Sequence, residues 1–257
     1  MTDYPSFRLD GRRALVTGAA RGLGRAISLA LADAGADVAL GLRVGSDAAD
    51  LAERIESMGR RAHRVQMDLL RIDEVRAAVD EVVDAFRGID ILVNNAGIGL
   101  PEKAAEDWDE ADFDATFALN VKGLFFASQA VARVMIGQGS GAIVNLSSQA
   151  GFIALPGEAI YCASKAAVAH LTKCHAVEWG QHGIRVNAVA PTFIRTPGTE
   201  PALADPAFRA EVIERIAGLH RIGEPVDVAG AVVYLASPAA ALVTGTTLMV
   251  DGGWTAR

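Results

Sequence analysis

Short apolar runs alternate with longer segments of helical periodicity along the whole chain. Apolar runs that predict β-strands lie at residues 14–17, 37–42, 61–67, 89–93, 142–146, 185–190 and 247–250. Segments that predict helices lie between them, at residues 23–34, 48–58, 72–86, 113–136, 160–182 and 226–236. Strands that are apolar on both faces and separated by helices are typical of a parallel sheet covered on both sides. The pattern therefore predicts an α/β fold, a doubly wound parallel sheet of about seven strands with helices on both faces.

No linker, repeat or low-complexity segment divides this pattern, so we expect residues 1–257 to form a single domain. The one irregular region is residues 192–225, which is rich in proline and glycine and contains a short predicted helix at 207–217. It follows the sixth strand and opens at the carboxyl edge of the sheet, where such folds bind ligands. We interpret this region as a substrate lid.

Composition and charge narrow the possible partners. Hydrophobic residues make up 51% of the chain and the net charge is −7, which argues against nucleic acid because phosphate binding needs a basic surface. Residues 228–250 carry no charge and are long enough to span a bilayer. Ser237-Pro238 and the turn-forming residues 244–247 interrupt this stretch, so we predict a buried helix followed by a buried strand, and no membrane partner.

The two cysteines, Cys162 and Cys174, fall in one predicted helix, where twelve residues span roughly 18 Å. A disulfide needs its Cα atoms within about 7 Å, so the two cannot pair within the chain. A reducing cytoplasm fits this usage, as does an N-terminus without a signal-peptide core. In the absence of clustered histidines, the sequence predicts no metal site.

Tyr161 and Lys165 stand four residues apart in a predicted helix, with Ser148 thirteen positions before the tyrosine. Helix positions i and i+4 share a face, so a phenol and an ammonium are held side by side. An adjacent cation lowers the pKa of a tyrosine by favouring the phenolate. The spacing therefore indicates a group that exchanges a proton with an oxygen atom near neutral pH.

A glycine-rich segment follows the first strand and precedes the first helix. It reads Thr17-Gly18-Ala19-Ala20-Arg21-Gly22-Leu23-Gly24. Glycines allow a tight turn and close approach to a phosphate, and the helix N-terminus then presents free N–H groups to the anion. We assign Gly18, Arg21, Gly22, Leu23 and Gly24 to a nucleotide cofactor; the alternative is an ordinary glycine turn before a helix.

The end of the second strand indicates which nucleotide. NAD sites place an acid there for the ribose 2′-hydroxyl, whereas NADP sites use an arginine for the 2′-phosphate. This strand ends Leu42-Arg43 without an acid, and Arg21 is able to face the same phosphate. We therefore predict NADP, with NAD possible; the alternative is two solvated arginines. Asp68 and Leu69, at the end of the third strand, are assigned to the adenine side, although Asp68 would equally serve to cap a turn.

Further motifs appear in order along the chain: Asn94-Asn95-Ala96-Gly97 after the fourth strand, Asn120, Ser148, Tyr161-xxx-Lys165, Asn187 and Asp251-Gly252-Gly253. With the glycine segment, they resemble the single-domain short-chain dehydrogenases/reductases, and the resemblance covers nearly the whole chain. It implies a Rossmann-type fold and an NAD(P)-dependent oxidoreductase that interconverts a secondary alcohol and a ketone.

The resemblance also implies roles for four residues. Tyr161 is the general acid and base, and Lys165 lowers its pKa and binds the nicotinamide ribose. Ser148 polarises the substrate carbonyl, and Asn120 positions a proton relay through Lys165. Ser147 and Ser148 would otherwise be strand-end polar residues; Ser148 is preferred because it precedes the tyrosine by the family's interval.

Other residues are assigned to the cofactor cleft through the same resemblance. They are Asn94, Ala96, Gly97, Pro191, Ile194 and Thr196, together with Tyr161 and Lys165. The chain departs from the family's usual Pro-Gly at Pro191-Thr192. This departure leaves the path of the following loop open.

Substrate-facing residues are predicted beside the reacting groups. Gln149 and Glu158 flank Ser148 and Tyr161 and would bind hydroxyls, with surface exposure as the alternative; Arg195 would bind a carboxylate. The chain is similar to members that act on sugar acids and polyols, such as gluconate and deoxygluconate dehydrogenases. The alternatives are a 3-oxoacyl-[acyl-carrier-protein] reductase or general carbonyl reductase, and a nucleotide-binding regulator without turnover.

The resemblance further implies a homotetramer formed through the long helices at 113–136 and 160–182 and the last strand. Trp254, just beyond that strand, is a large apolar side chain close to a chain end, which usually frays unless it is docked. We expect Trp254 to pack against a symmetry mate and to steady the lid.

Overall fold

A computed structural model describes residues 4–256 of the chain. The described residues contain a parallel sheet of seven strands in the order β3-β2-β1-β4-β5-β6-β7. The strands are β1 (Arg13–Thr17), β2 (Asp37–Leu42), β3 (Ala62–Gln66), β4 (Ile91–Asn94), β5 (Gly141–Leu146), β6 (Ile184–Pro191) and β7 (Thr247–Val250). The predicted fold class and all seven predicted strands are thus confirmed, with ends that shift by at most two residues.

Helices cover both faces of this sheet. They are α1 (Gly22–Asp33), α2 (Ala49–Ser57), α3 (Ile72–Phe86), α4 (Glu110–Phe117), α5 (Leu124–Gln138), α6 (Ala159–Trp179), α7 (Glu200–Leu203), α8 (Pro206–Arg215) and α9 (Pro225–Ala236). One core joins α1, α2 and α9 to the sheet, and a second core joins α3, α5 and α6 to the opposite face. The central strands β1, β2, β4, β5 and β6 are covered on both sides, which explains their continuous apolar runs in the sequence.

The strand order reverses between β1 and β4, because the chain leaves β1 for β2 and returns beside β1 only with β4. In open α/β sheets, ligands bind in the crevice at such a switch point, beyond the carboxyl ends of the strands. The glycine segment follows β1, Asn95 follows β4, and Ser147 and Ser148 follow β5. The topology therefore brings the predicted motifs to one edge of the sheet.

The helix predicted at 113–136 is not continuous. It consists of α4, a π-helical turn at Ala118–Gly123 and α5. Asn120 lies in that turn and is buried. A π turn inserts an extra residue into the helix and frequently occurs at functional sites, and hydrophobic periodicity does not reveal it.

The region at 192–225 contains two short helices, α7 and α8; α8 corresponds to the predicted helix at 207–217, whereas α7 was not predicted. The region has its own small core, formed by Leu203, Val212, Ile216, Ile222 and Trp254.

Trp254 is 7% exposed within a single chain, and its ring stacks on Phe193 with centroids 5.7 Å apart. Its own lid region covers most of the ring, and the expected contact with a symmetry mate stays a prediction. Its predicted contact with that region is confirmed.

Residues 228–250 form the end of α9 and, after a turn, β7, as the breaker residues predicted. Across residues 4–256, no helix combines the length and the hydropathy that a bilayer crossing requires.

Candidate active site

The glycine segment folds tightly against the end of β4. Gly18 and Gly22 have φ values of +64° and +54°, which residues with a side chain rarely adopt. A Cβ on Gly24 would lie 2.3 Å from the Gly18 carbonyl oxygen, and a Cβ on Gly18 would lie 3.1 Å from Ala96 Cα. The first amides of α1 have no acceptor within the helix and open on this loop. The arrangement fits the phosphates of a dinucleotide cofactor.

Asn95, which was not predicted as a site residue, holds this loop in place. Its Nδ2 donates to the carbonyl oxygens of Thr17 and Gly18 at 2.9 and 3.1 Å. The Thr17 hydroxyl in turn accepts from the backbone N–H groups of Asn95 and Ala96 at 3.0 and 3.1 Å. Asn95 also lines the cleft beside Tyr161.

The prediction that Asn94 lines the cofactor cleft needs correction. Asn94 is 2% exposed, and its Nδ2 donates to Ser128 Oγ and Asn145 Oδ1, both at 2.8 Å. Successive side chains of a strand point to opposite faces, so the last residue of β4 enters the core while the next one reaches the loop. The two adjacent asparagines thus have different functions. The sequence pattern ended the fourth strand at residue 93, whereas β4 ends at Asn94, and this difference of one residue decides which asparagine enters the core.

Two arginines lie at the edge where a 2′-phosphate is expected. Arg21 is the N-cap residue of α1 and Arg43 directly follows β2, and both are exposed. Within the described part of the chain, neither guanidinium has an ion pair or a side-chain hydrogen bond. Leu42, by contrast, is 8% exposed and belongs to the core.

The adenine-side predictions have mixed outcomes. Asp68 Oδ1 accepts from the backbone N–H of Leu70 at 3.0 Å, which is the turn-capping alternative. Leu69 is 4% exposed and packs beneath the π turn, where a Cβ on Gly123 would lie 2.8 Å from Leu69 Cβ. The side chain of Leu69 therefore belongs to the core. Only the backbone of Leu69 remains available for the predicted contact with the adenine side of the cofactor.

The two serines after β5 have separate environments. Ser147 Oγ donates to the Lys165 carbonyl oxygen at 2.9 Å and so joins the strand end to α6. Ser148 Oγ accepts from the Ala150 N–H and donates to Gln149 Oε1, both at 3.1 Å, and the hydroxyl also lies close enough to the Tyr161 phenol to lower its pKa. Ser148 is therefore the serine that contacts the tyrosine, in agreement with the interval-based choice.

Tyr161 and Lys165 share one face of α6, with Lys165 Nζ 5.7 Å from the centre of the tyrosine ring. Burial raises the pKa of Tyr161 to about 12, with a smaller contribution from the Glu158 charge, while the neighbouring Ser148 hydroxyl opposes the rise. Burial also lowers the pKa of Lys165 to about 8.

The expected lowering of the tyrosine pKa by Lys165 is thus not found, since Lys165 Nζ donates to the Leu146 carbonyl oxygen at 2.8 Å instead. In this geometry Tyr161 is a neutral phenol, which is the form that donates a proton.

Asn120 lies behind these groups. Its Oδ1 accepts from the Ile98 N–H at 2.8 Å, and its Nδ2 donates to the Ile98 carbonyl oxygen and to Ser164 Oγ at 2.8 and 3.0 Å. A Cβ on Gly97 would lie 3.1 Å from Asn120 Oδ1 and 3.4 Å from Lys165 Nζ. Glycine at position 97 therefore leaves a small space that the amide oxygen and the ammonium both reach.

The segment after β6 closes the cofactor side. Pro191 and Ile194 are buried, and the Ile194 carbonyl oxygen accepts from Thr199 Oγ1. A Cβ on Gly22 would lie 3.4 Å from Thr196 Cβ, so Thr196 faces the glycine loop. Thr192, which replaces the usual glycine, has a buried Oγ1 without a hydrogen-bond partner in the described structure and lines the same cleft.

A second cavity of about 720 Å³ adjoins the cleft, and we call it the substrate cavity. Its walls include Ser148, Gln149, Glu158 and Tyr161, with Phe193 and Phe208 from the lid region. Gln149 is 3% exposed and Glu158 is half-buried, so surface exposure does not describe either.

The prediction that Arg195 binds a substrate carboxylate needs correction. Arg195 Nε lies 3.1 Å from Glu224 Oε1, and the side chain is absent from the cavity walls.

Comparisons with known proteins agree with this geometry. A family profile described as enoyl-(acyl carrier protein) reductase matches residues 18–255. The 2-dehydro-3-deoxy-D-gluconate 5-dehydrogenase of Escherichia coli (strain K12) is 42% identical over 257 residues, covering 98% of each chain. The D-threitol dehydrogenase of Mycolicibacterium smegmatis is 41% identical, covering 98% of this chain and 95% of the relative. A gluconate 5-dehydrogenase from Burkholderia cenocepacia, crystallised with NADP and tartrate, superposes with a TM-score of 0.94 at 40% identity, covering 98% of each chain.

Proposed function

The chain belongs to the short-chain dehydrogenase/reductase family, and we propose that it interconverts a secondary alcohol and a ketone on a sugar acid or polyol with NADP. As a member of this family, the protein is an NAD(P)-dependent oxidoreductase acting on CH–OH groups. The observation that supports the catalytic proposal is that Ser148, a partly buried Tyr161 and Lys165 line one cleft, which also includes Leu23 of the glycine loop.

In the reduction direction, Tyr161 donates its phenolic proton to the carbonyl oxygen, and the carbon becomes a secondary alcohol. The bound nicotinamide supplies the hydride, which no protein side chain provides. Ser148 positions the carbonyl oxygen, because its hydroxyl lies against the tyrosine and is oriented by Ala150 and Gln149. In the oxidation direction, the phenolate accepts the proton from the alcohol.

Lys165 and Asn120 act behind the phenol. The ammonium lies 5.7 Å from the centre of the tyrosine ring and is held by the Leu146 carbonyl oxygen, from where it would bind the nicotinamide ribose. Lys165 Nζ and Asn120 Oδ1 reach the same space in front of Gly97, so we assign them to the relay that returns a proton to Tyr161.

We propose NADP as the preferred cofactor because Arg21 and Arg43 offer two unpaired guanidiniums where the 2′-phosphate is expected. The glycines at 18, 22 and 24 would receive the pyrophosphate, Thr196 lies beside them, and the backbone of Ile194 would hold the carboxamide. Gluconate dehydrogenase relatives bind NADP in their crystal structures, which supports the same choice.

The substrate class rests on the cavity and on the relatives. Gln149 and Glu158 place amide and carboxylate groups beside the reacting atoms, as a substrate with several hydroxyls requires, because each unpaired polar group would cost about 1–3 kcal/mol. The named relatives act on sugar acids and polyols. The lid at 192–225 is proposed to cover this substrate.

A second candidate is acyl chemistry, as in a 3-oxoacyl-[acyl-carrier-protein] reductase, and it is favoured by the description of the matching profile. A substrate panel with NADPH separates the two. Ketoses and keto-sugar acids should be reduced with a higher kcat/KM than acetoacetyl thioesters. Exclusive use of the thioesters, or of simple apolar ketones, would replace the sugar proposal. Absence of turnover with every carbonyl would favour the nucleotide-binding regulator.

We further propose a homotetramer in the cytoplasm. Val177 on α6 is 83% exposed and Ile136 on α5 is 38% exposed, which supports assembly through these helices. Cys162 and Cys174 are both free thiols, as a reducing compartment would keep them.

A further inference from the structure

The substrate cavity is negatively charged at its substrate end. Its charged wall residues are Arg21, Glu102 and Glu158. Arg21 belongs to the glycine loop at the cofactor end, whereas Glu158 lies three residues before Tyr161 and Glu102 lies in the loop that follows β4. Among the described residues, neither carboxylate has a hydrogen bond or an ion pair.

A contact between two loops places Glu102 beside the residue that precedes Glu158. The Lys103 N–H donates to the Gly157 carbonyl oxygen at 3.1 Å. A Cβ on Gly157 would lie 3.0 Å from Glu102 Cβ, so Glu102 packs directly on the residue that precedes Glu158. The backbone hydrogen bond between the two loops therefore fixes the position of Glu102 Cβ relative to Gly157.

Lys103, the residue after Glu102 in the chain, does not neutralise the two carboxylates. Lys103 forms an ion pair with Asp112, and its ammonium lies 5.2 Å from the centre of the Trp108 ring. Arg195 pairs with Glu224 and is absent from the walls. Among the described wall residues, the cavity therefore has two unpaired carboxylates and one guanidinium, that of Arg21, which is assigned to the cofactor phosphate.

The Glu102 charge acts on Glu158, and the Glu158 charge acts on the reacting phenol. Burial raises the pKa of Glu158, and the Glu102 charge raises it further. The Glu158 charge contributes in turn to the raised pKa of Tyr161. A substrate carboxylate in this cavity would be a third negative charge in a partly desolvated space, where like charges repel more strongly than in water.

We propose that Glu158 and Glu102 select the substrate by its charge. The site then binds an uncharged polyol or its ketone and discriminates against sugar acids. Carboxylate oxygens accept hydrogen bonds from several substrate hydroxyls, which an uncharged polyol supplies without repulsion. This inference rests on the proposed function, and it selects between the two substrate classes that the function includes.

The test compares pairs that differ only at C1, a hydroxymethyl group in one and a carboxylate in the other, such as D-glucitol with D-gluconate and galactitol with galactonate, by kcat/KM for NADP reduction. The wild-type kcat/KM should be at least tenfold higher for the polyol of each pair than for the acid. A tenfold difference corresponds to roughly 1.4 kcal/mol. Glu158→Gln should reduce this preference severalfold, mainly by lowering KM for the acid, and Glu102→Gln should act in the same direction with a smaller effect. Glu56→Gln, which removes an exposed charge from α2, is the matched control and should leave the ratio unchanged.

Comparable turnover of acids and polyols by the wild type would overturn the inference and leave the proposed function intact. An unchanged ratio in both Glu158→Gln and Glu102→Gln would also overturn it. If neither class reacts while acetoacetyl thioesters or simple ketones are reduced, the proposed function fails and this inference fails with it.

Discussion

Removal of Arg43 provides a direct test of cofactor choice. The guanidinium directly follows β2, is exposed, and has no ion pair within the described residues, so Arg43→Ala removes no internal contact that the fold requires. A charge-assisted hydrogen bond contributes about 1.5–3 kcal/mol, and we take the lower end because solvent screens an exposed group. That value corresponds to roughly a tenfold loss in kcat/KM for NADP, since ~1.4 kcal/mol changes an equilibrium constant tenfold.

The 2′-hydroxyl of NAD carries no charge, so kcat/KM for NAD should change little. Arg43→Asp should go further and reverse the preference, because a carboxylate repels the 2′-phosphate and accepts a hydrogen bond from the 2′-hydroxyl. The acid is better placed at position 43 than at position 42, because Leu42 is 8% exposed and an unpaired carboxylate there would enter the core.

The assay is kcat/KM for NADP and for NAD in the wild type and in each variant, at one salt concentration. Arg54→Ala serves as the control: Arg54 is an exposed arginine in the last turn of α2. Helices of a parallel α/β sheet run antiparallel to the strands, so this turn lies at the edge opposite the cofactor. A wild type that uses NAD as well as NADP, or an Arg43→Ala ratio equal to that of Arg54→Ala, would refute the reasoning.

Three further predictions concern catalysis, assembly and stability. Tyr161→Phe should lower kcat by about 10²–10⁴ while cofactor binding by fluorescence titration is retained, and near-normal turnover would contradict its role as the proton donor. Light scattering at micromolar concentration should give a tetramer; a monomer would contradict the proposed assembly.

Asp227→Asn should lower the free energy of unfolding by about 0.5–2 kcal/mol in urea titrations, because Asp227 caps α9 and pairs with Arg221. The pKa of Asp227 is about 2, below its ordinary value of 3.8, mainly through the hydrogen bond from Arg221. The stabilisation by ionised Asp227 is therefore fully present above pH 3.8 and is lost as the pH falls toward 2. A difference in unfolding free energy between wild type and Asp227→Asn that persists undiminished at pH 2 would be inconsistent with this linkage.

The positions of Asn94 and Asn95 show where sequence reasoning reaches its limit. Both are polar, both follow apolar strand residues, and both belong to one motif. Only the observed end of β4 shows that Asn94 enters the core toward Asn145 while Asn95 reaches the glycine loop. A shift of one residue in a strand end exchanges the two faces, and hydrophobic patterns do not locate strand ends to one residue.

The direction of the Tyr161 pKa shift is a second property that the sequence does not predict. The four-residue spacing correctly places Tyr161 and Lys165 on one helix face, because helical geometry is local. The direction of the pKa shift depends on burial and on Glu158, and neither follows from that spacing.

The sequence by itself determined the parallel sheet, the order of its elements, the glycine loop and the pairing of Tyr161 with Lys165. These features depend on hydrophobic periodicity and on contacts between residues close in the chain. Only the tertiary structure decided the π turn at Asn120, the docking of Trp254 on its own lid and the packing of Glu102 on Gly157, next to Glu158. Each of these depends on which loops and helices the packed sheet brings into contact, and residues far apart in sequence acquire that relation only when the chain has folded.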